Sequence, residues 1–343
     1  MPTSVTHRRW ASASAALVVG ALALAGCAAP SPSGSESGGT TSMSLATSWV
    51  PMVQFAGSYE ADSKGYYSDE GLDVTILPGG PEVDPTATVA AGQAQIGMSN
   101  ADAVARANEA GADLVIFAAA FQKSPLGILS SEKDPLLTPK DLVGKKIGVP
   151  SGDVAIHETL LKTNGVDPAS VTSVPVGFDV APLTSGEVQG QYAFYTEQAV
   201  ALEQTGDKGA FLFLADYGQD VYANVYYATR ETVENDPGLI EKFLTAEIKG
   251  WQDAVADPAG AATLAVDDYG KDTGLDLEEQ TMSMQREIDL LTTTETQEKG
   301  LLYLTDEGIE RNVKSITGLG ITADENLFDS SFVQKVYDGK SSL

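Results

Sequence analysis

The chain has one cysteine and two histidines in 343 residues. A single thiol excludes an internal disulfide framework. So few Cys and His also exclude zinc clusters and most thiol or imidazole catalysis. Cations are scarce too: 21 Lys+Arg stand against 48 Asp+Glu, a formal net charge of −27. Phosphates and anionic lipid heads are repelled by such a chain, which excludes nucleic acid and a membrane surface as partners of the folded body. Long apolar runs are missing from that body. The longest, Leu114 to Phe121, has eight residues, far short of the roughly 20 that span a bilayer. Core material, by contrast, is ample. Apolar residues make up 43% of the chain, and at about 100–200 residues per domain the length suggests two folded units.

The first residues read as address and tether. His7-Arg8-Arg9 is a basic n-region, and Ala11 to Ala25 is an apolar stretch of Ala, Leu and Val with two Ser and one Gly. It is too short for a membrane span and fits a secretory h-region. The stretch ends in Leu24-Ala25-Gly26-Cys27, which resembles the bacterial lipobox. That resemblance implies cleavage before Cys27 and lipidation of its thiol. The expectation is a signal peptide over 1–26 and a lipidated Cys27 with a Ser/Gly/Thr/Pro-rich tether over 27–43. Loss of Arg8 and Arg9 then takes the charge from −27 to −27 − 2 = −29. The mature protein is expected on the outer face of the cytoplasmic membrane, held there by the lipid alone.

From Ser44 onward short apolar strands alternate with helical stretches, which predicts an α/β fold with largely parallel sheets. Strands are expected at Ser44–Ser48, Leu72–Leu77, Gln95–Met98 and Leu114–Ala120, with helices between them. A second series runs through strands Lys146–Val149, Val171–Val176, Gln191–Phe194 and Phe211–Leu214. Gly92 and Gly186 each close a helix that feeds a strand, so the two series suggest lobes of similar topology. The last third reads as helical. Asp236-Pro237 and Asp257-Pro258 each place a capping Asp before a Pro at the first helical position. Leu239, Ile240, Phe243, Leu244, Ile248, Trp251 and Val255 then mark one buried helix face.

Several motifs lead nowhere. There is no phosphate-binding P-loop, and Gly318-Leu319-Gly320 lacks the strand context and acidic partner of a dinucleotide site. His157 has no second ligand nearby, so no metal site and no cofactor is expected, and it reads as a surface or inter-lobe histidine.

Three stretches carry a family resemblance: Gly65-Tyr66-Tyr67 with Glu70-Gly71-Leu72-Asp73-Val74, then Ala91-Gly92-Gln93-Ala94-Gln95-Ile96-Gly97, and Trp49-Val50-Pro51 with Tyr195-Thr196-Glu197. Together they resemble the extracytoplasmic substrate-binding proteins of ABC importers, in the nitrate/sulfonate/taurine group. Trp49-x-Pro51 and Tyr195-Thr196-Glu197 look more like the branch that binds thiamine pyrimidine precursors. The resemblance implies a two-lobed periplasmic-binding-protein-like fold of type II, with the ligand in a cleft between lobes joined by two hinge strands. Lobe 1 is then 44–128 with 226–343, lobe 2 is 129–225, and the hinge strands lie near Leu126–Ser130 and Tyr222–Ala228. It also implies a monomer that delivers a small solute to membrane permease subunits, and a binding protein rather than an enzyme. The fungal pyrimidine synthases of this fold carry a cysteine-rich motif in the second lobe, whereas Tyr192 to Gln198 has no cysteine here.

Ligands of open α/β sheets bind beyond the carboxyl ends of the strands. Trp49, Asn100, Phe121, Asp153, Phe178, Asp179 and Tyr195 all follow predicted strand ends. Gln54 and Tyr59 stand in the stretch after Trp49, and Glu82 in the Pro81-Glu82-Val83-Asp84 loop. Aromatics there sandwich a flat heterocycle, and Glu197 accepts its ring or exocyclic N–H groups. The alternative solute is an alkanesulfonate, taurine or nitrate, held by helix N-termini at Asn100 or Ser151-Gly152. The four arginines after Cys27, Arg106, Arg230, Arg286 and Arg311, fall outside the predicted strand-end loops.

Overall fold

The computed structural model describes residues 39–343. The expected signal peptide, Cys27 and most of the expected tether lie outside the described residues. Among the described residues, ten strands form two five-stranded sheets. The first contains β1 (Thr41–Ala46), β2 (Leu72–Leu77), β3 (Ile96–Ser99), β4 (Leu114–Phe121) and β10 (Ala223–Thr229), in the order β2-β1-β3-β10-β4. The second contains β5 (Leu126–Ser131), β6 (Lys146–Val149), β7 (Thr172–Pro175), β8 (Gly190–Phe194) and β9 (Gly209–Phe213), in the order β7-β6-β8-β5-β9. Helices pack on the sheets, so the architecture is a two-lobed α/β fold.

The sheets are mixed, which corrects the expectation of largely parallel ones. β1 runs parallel to β2 and β3, but β10 is antiparallel to both of its neighbours. In the second sheet β5 plays the same part, antiparallel to β8 and β9 while β6 runs parallel to β7 and β8. The reversed strand in each sheet is the one that has just arrived from the other lobe. It enters where the parallel strands end, beside the cleft, and so has to run against them. The two connections are Gln122–Pro125 and the segment 214–222. The expected lobe boundaries at 128/129 and 225/226 would cut through β5 and β10. Strand pairing instead assigns all of β5 to the second sheet and all of β10 to the first. β1 also starts earlier than the tether expectation allows, because Thr41 to Met43 pair residue for residue with Leu72 to Val74.

The predicted caps are made. Asp236 accepts from the Leu239 amide at 3.2 Å and Asp257 from the Gly260 amide at 3.0 Å, each ahead of a Pro. The helix Pro237–Ala256 lies in the first lobe's core, with Phe243, Leu244, Ile248 and Trp251 fully buried. It crosses the helix Ala56–Ser63 at two glycines. A Cβ on Gly250 would stand 2.0 Å from the Gly57 carbonyl oxygen, so only glycine allows this approach. Beneath the crossing, Glu247 accepts hydroxyl hydrogen bonds from Ser58 (2.9 Å), Tyr226 (2.6 Å) and Tyr67, and Trp251 Nε1 donates to Tyr226 at 2.8 Å. Burial pushes the Glu247 carboxyl up to about 7 despite these donors.

Candidate functional site

A cleft of about 680 Å³ opens at the carboxyl ends of both sets of parallel strands. From the first lobe come Ser48 and Trp49 after β1, Asn100 after β3 and Phe121 at the end of β4. The second lobe supplies Ser151 to Asp153 after β6, Gly177 and Phe178 after β7, and Phe194, Thr196 and Glu197 around the end of β8. Across the opening the rings of Trp49 and Phe178 meet edge to face, centroids 6.0 Å apart and planes at 69°. Phe178 is 58% exposed, the most of any large apolar side chain among the described residues. Behind the cleft, Phe121 rests edge-on against Trp251, which anchors that wall in the core of the first lobe.

The walls of the cleft are acidic. Among the described residues no Lys or Arg lines it, while Glu197 and Asp153 do. Burial pushes Glu197 up to about 7. Asp153 is pushed up to about 6, first by burial and then by the charge of Asp102. A smaller recess of about 270 Å³ shares Asn100, Gly152, Asp153 and Phe194 with the cleft and adds Asp102, Arg106 and Gln219. Arg106, which is exposed, lines this recess and not the larger cleft. No group of His, Cys, Asp and Glu with metal-ligand geometry occurs among the described residues.

Of the residues expected from sequence, Trp49, Gln54, Asn100, Phe121, Asp153, Phe178 and Glu197 line the cleft. Tyr59 does not. It is 1% exposed and stacks on Tyr269 at 4.0 Å and 11°, because its side of the helix Ala56–Ser63 faces other helices. Glu82 is exposed on its loop and off the cleft wall, while Asp84, two residues on, caps the next helix by accepting from the Thr86 amide at 2.9 Å. Asp179 likewise turns to its own backbone and accepts from the Ala181 amide at 2.9 Å. Tyr195 lies between two cleft residues, Phe194 and Thr196, and points the other way into Phe211 and Phe213. His157 is not at the surface. It is buried in the second lobe with Nδ1 3.2 Å from the Tyr192 hydroxyl.

Asn224, which the sequence reading did not single out, lines the cleft from the start of β10. It holds φ at 46° and donates from Nδ2 to the Gln54 carbonyl at 3.0 Å, tying two cleft segments of the first lobe together. Asn tolerates that left-handed geometry better than most side chains, but a single Asn in a β-rich stretch carries no signal of it.

Comparison with known proteins follows the geometry. The riboflavin-binding protein RibY of Chloroflexus aurantiacus is 24% identical, covering 93% of this chain and 96% of its own. The formylaminopyrimidine-binding protein of Halalkalibacterium halodurans is 28% identical over 71% of this chain and 74% of its own. A 4-amino-5-hydroxymethyl-2-methylpyrimidine phosphate synthase of Schizosaccharomyces pombe is 24% identical over 64% and 67%. Among solved structures, the periplasmic sulfonate-binding protein SsuA of Methylobacillus flagellatus superposes with a TM-score of 0.65 at 17% identity, covering 88% of this chain and 95% of that one. That likeness shows the periplasmic-binding-protein fold. The family described as NMT1/THI5 like matches residues 52–261, more than half of the chain. This protein belongs to the NMT1/THI5-like family.

Proposed function

We propose that this protein is the solute-binding component of an ABC importer and that its solute is a small nitrogen heterocycle, neutral or cationic. The observation that carries the reading is the cleft itself: aromatic rings from both lobes, a carboxylate at Glu197, and no cation among the described lining residues. Flat rings gain about 0.5–1.5 kcal/mol per aromatic contact beyond area burial. Ring N–H groups then find an acceptor in Glu197, and a charge-assisted bond is roughly twice as strong as a neutral one. Two relatives are named as binders of a flavin and of a pyrimidine, which supports the same class of ligand.

Capture proceeds by closure of the two lobes about the connections Gln122–Pro125 and 214–222, the closed form being what the permease recognises. The same fold serves enzymes, and one relative is named a synthase. The binding reading is preferred because the chain has no cysteine after Cys27 to supply the motif of those synthases. Cys27 is proposed as the lipid anchor that keeps the protein at the outer membrane face. No described helix is long and apolar enough to cross a membrane.

The test is a thermal-shift panel of riboflavin, aminopyrimidines, taurine and nitrate, followed by calorimetry. A ligand at about 100 times its Kd stabilises by about 2.7 kcal/mol, a rise of a few degrees. A rise with one of the heterocycles is expected. A rise with taurine or nitrate and none with any heterocycle overturns the reading.

A further inference from the structure

Each of the two connections between the lobes carries a buried polar side chain with hydrogen-bonding capacity to spare. Ser124, in Gln122–Pro125, is 7% exposed. Its oxygen accepts from the Leu126 amide at 3.2 Å, while its O–H finds no acceptor among the described residues. Gln219, in the segment 214–222, is 6% exposed. It donates from Nε2 to the Ile156 carbonyl at 3.0 Å, and its Oε1 receives nothing from the described residues. Side-chain polar groups this deeply buried normally have their partners. Both residues line the recess of about 270 Å³ that adjoins the cleft, and neither lines the cleft itself.

The rest of the recess's polar lining is mixed in charge. Asp102 and Arg106 stand one turn apart on the helix Ala101–Glu109. Asn100 and Asp153 each precede a helix, and neither side chain is used to cap it. Lys123, the neighbour of Ser124, pairs with Asp216 at 2.7 Å and does not line the recess. The acceptors are therefore Asp102, Asp153 and Gln219 Oε1, and the donors are Asn100, Arg106 and Ser124. An anionic arm would face two carboxylates against one guanidinium. An ammonium arm would leave the Ser124 O–H without an acceptor and put a second cation beside Arg106. Hydroxyl groups suit both sets, because each one donates and accepts. At about 680 Å³ the cleft alone falls within the roughly 300–1,000 Å³ that encloses a drug-sized ligand. A ring system fits there, and only a substituent needs the recess.

We propose that the recess is a subsite for a short polyhydroxylated arm carried by the heterocycle, whose hydroxyls donate to Asp102, Asp153 and Gln219 Oε1 and accept from Asn100, Arg106 and Ser124. This rests on the reading of the cleft as a heterocycle site and narrows its solute to a ring that bears such an arm. The ring lies between Trp49 and Phe178, and the arm passes Asn100 and Asp153, which line both spaces. Seated there, the arm touches both lobes and both connections at once.

The experiment uses the whole protein and a matched pair of probes, riboflavin and lumiflavin. They share one ring system, and lumiflavin carries a methyl group where riboflavin carries its polyhydroxylated arm. Calorimetry is expected to show riboflavin bound about thirtyfold tighter, from one hydrogen bond to a charged group and one to a neutral group. In S124A that ratio is expected to fall about threefold, and in D102A about tenfold. Taking the ratio cancels any general weakening of the cleft in a variant, and the wild-type comparison needs no variant to fold. If one variant does not fold, the other decides. A wild-type ratio below about threefold overturns the proposal, as does a larger ratio that neither variant lowers. If neither flavin binds but an aminopyrimidine does, the proposal is overturned and the heterocycle reading stands. If taurine or nitrate binds and no heterocycle does, both fall.

Discussion

Truncating Phe178 to Ala tests the cleft at the point where it is most exposed. A Phe ring has about 200 Å² of surface, and 58% of this residue is exposed, or roughly 115 Å². A flat solute lying on one face covers about half of that. At about 25 cal/mol per Å² the covered half contributes about 1.5 kcal/mol. A stacked contact adds about 0.5–1.5 kcal/mol, but the edge contact to Trp49 is given up at similar cost, so the two roughly cancel. F178A should therefore raise Kd about tenfold for whichever heterocycle shifts the wild-type midpoint. Its own thermal midpoint should fall only slightly, since the ring buries little. The geometry adds a second readout. Two stacked contacts need about 7 Å between flanking rings, whereas Trp49 and Phe178 stand 6.0 Å apart at 69°. Solute entry has to move them, and Trp49 fluorescence should change in wild type and less in F178A. Isothermal titration calorimetry reads the affinity. A Kd within twofold of wild type would refute the argument that Phe178 covers the solute.

Three further outcomes follow from named contacts. Glu197 binds N–H donors as the carboxylate and is pushed up to about 7, so affinity should drop about tenfold per pH unit below 7 in wild type and stay flat in E197Q, as calorimetry at pH 5, 6 and 8 checks. Glu247 rises from 4.5 to about 7 on folding, so the folded state holds its proton more tightly. Its contribution is complete below about 4.5 and is lost as pH rises through about 7. Glu197 and Asp153 shift the same way, so urea unfolding should show a more stable protein at pH 5 than at pH 8. Gly250→Ala forces a methyl group to 2.0 Å from the Gly57 carbonyl oxygen, and should cost at least about 2–3 kcal/mol in the same assay.

How far the sequence could be read depended on whether a signal was local. The Asp-Pro caps at Asp236 and Asp257 and the buried stripe through Trp251 are written within a few residues, and the structure has them. Strand direction is not local. Nothing in Leu126–Ser131 or Ala223–Thr229 says that these strands run against their neighbours, because that follows from which lobe the chain has just left. In the turn that follows β8, Tyr195 points away from its neighbours Phe194 and Thr196, and a turn has no fixed alternation from which the sequence could say which side meets the cleft. Tyr59 failed for the helical version of the same reason: its neighbours are Tyr269 and Phe55, residues the helix packing selects.

The acidic cleft also bears on the choice between heterocycle and anion, which the fold leaves open. Anions favour helix N-termini, where unpaired N–H groups and the helix dipole offer positive charge. Two helices open toward this cleft, Ala101–Glu109 behind Asn100 and Val154–Thr163 behind Asp153. Each already carries a carboxylate there, Asp102 in the first turn of one and Asp153 directly ahead of the other. The two carboxylates face the same recess, and the charge of Asp102 helps hold the Asp153 carboxyl up. A sulfonate or nitrate would meet positive helix ends already offset by these side chains, with Glu197 close by and no Lys or Arg among the described lining residues to compensate. A neutral or cationic ring meets the same charges as acceptors. The difference is measurable with salt: affinity for a cationic heterocycle should weaken as ionic strength rises, affinity for a neutral one should stay nearly constant, and affinity for taurine should strengthen as repulsion is screened. An anion whose binding weakened with added salt would mean that a cation such as Arg106 swings into the cleft, and the heterocycle assignment would lose its electrostatic support.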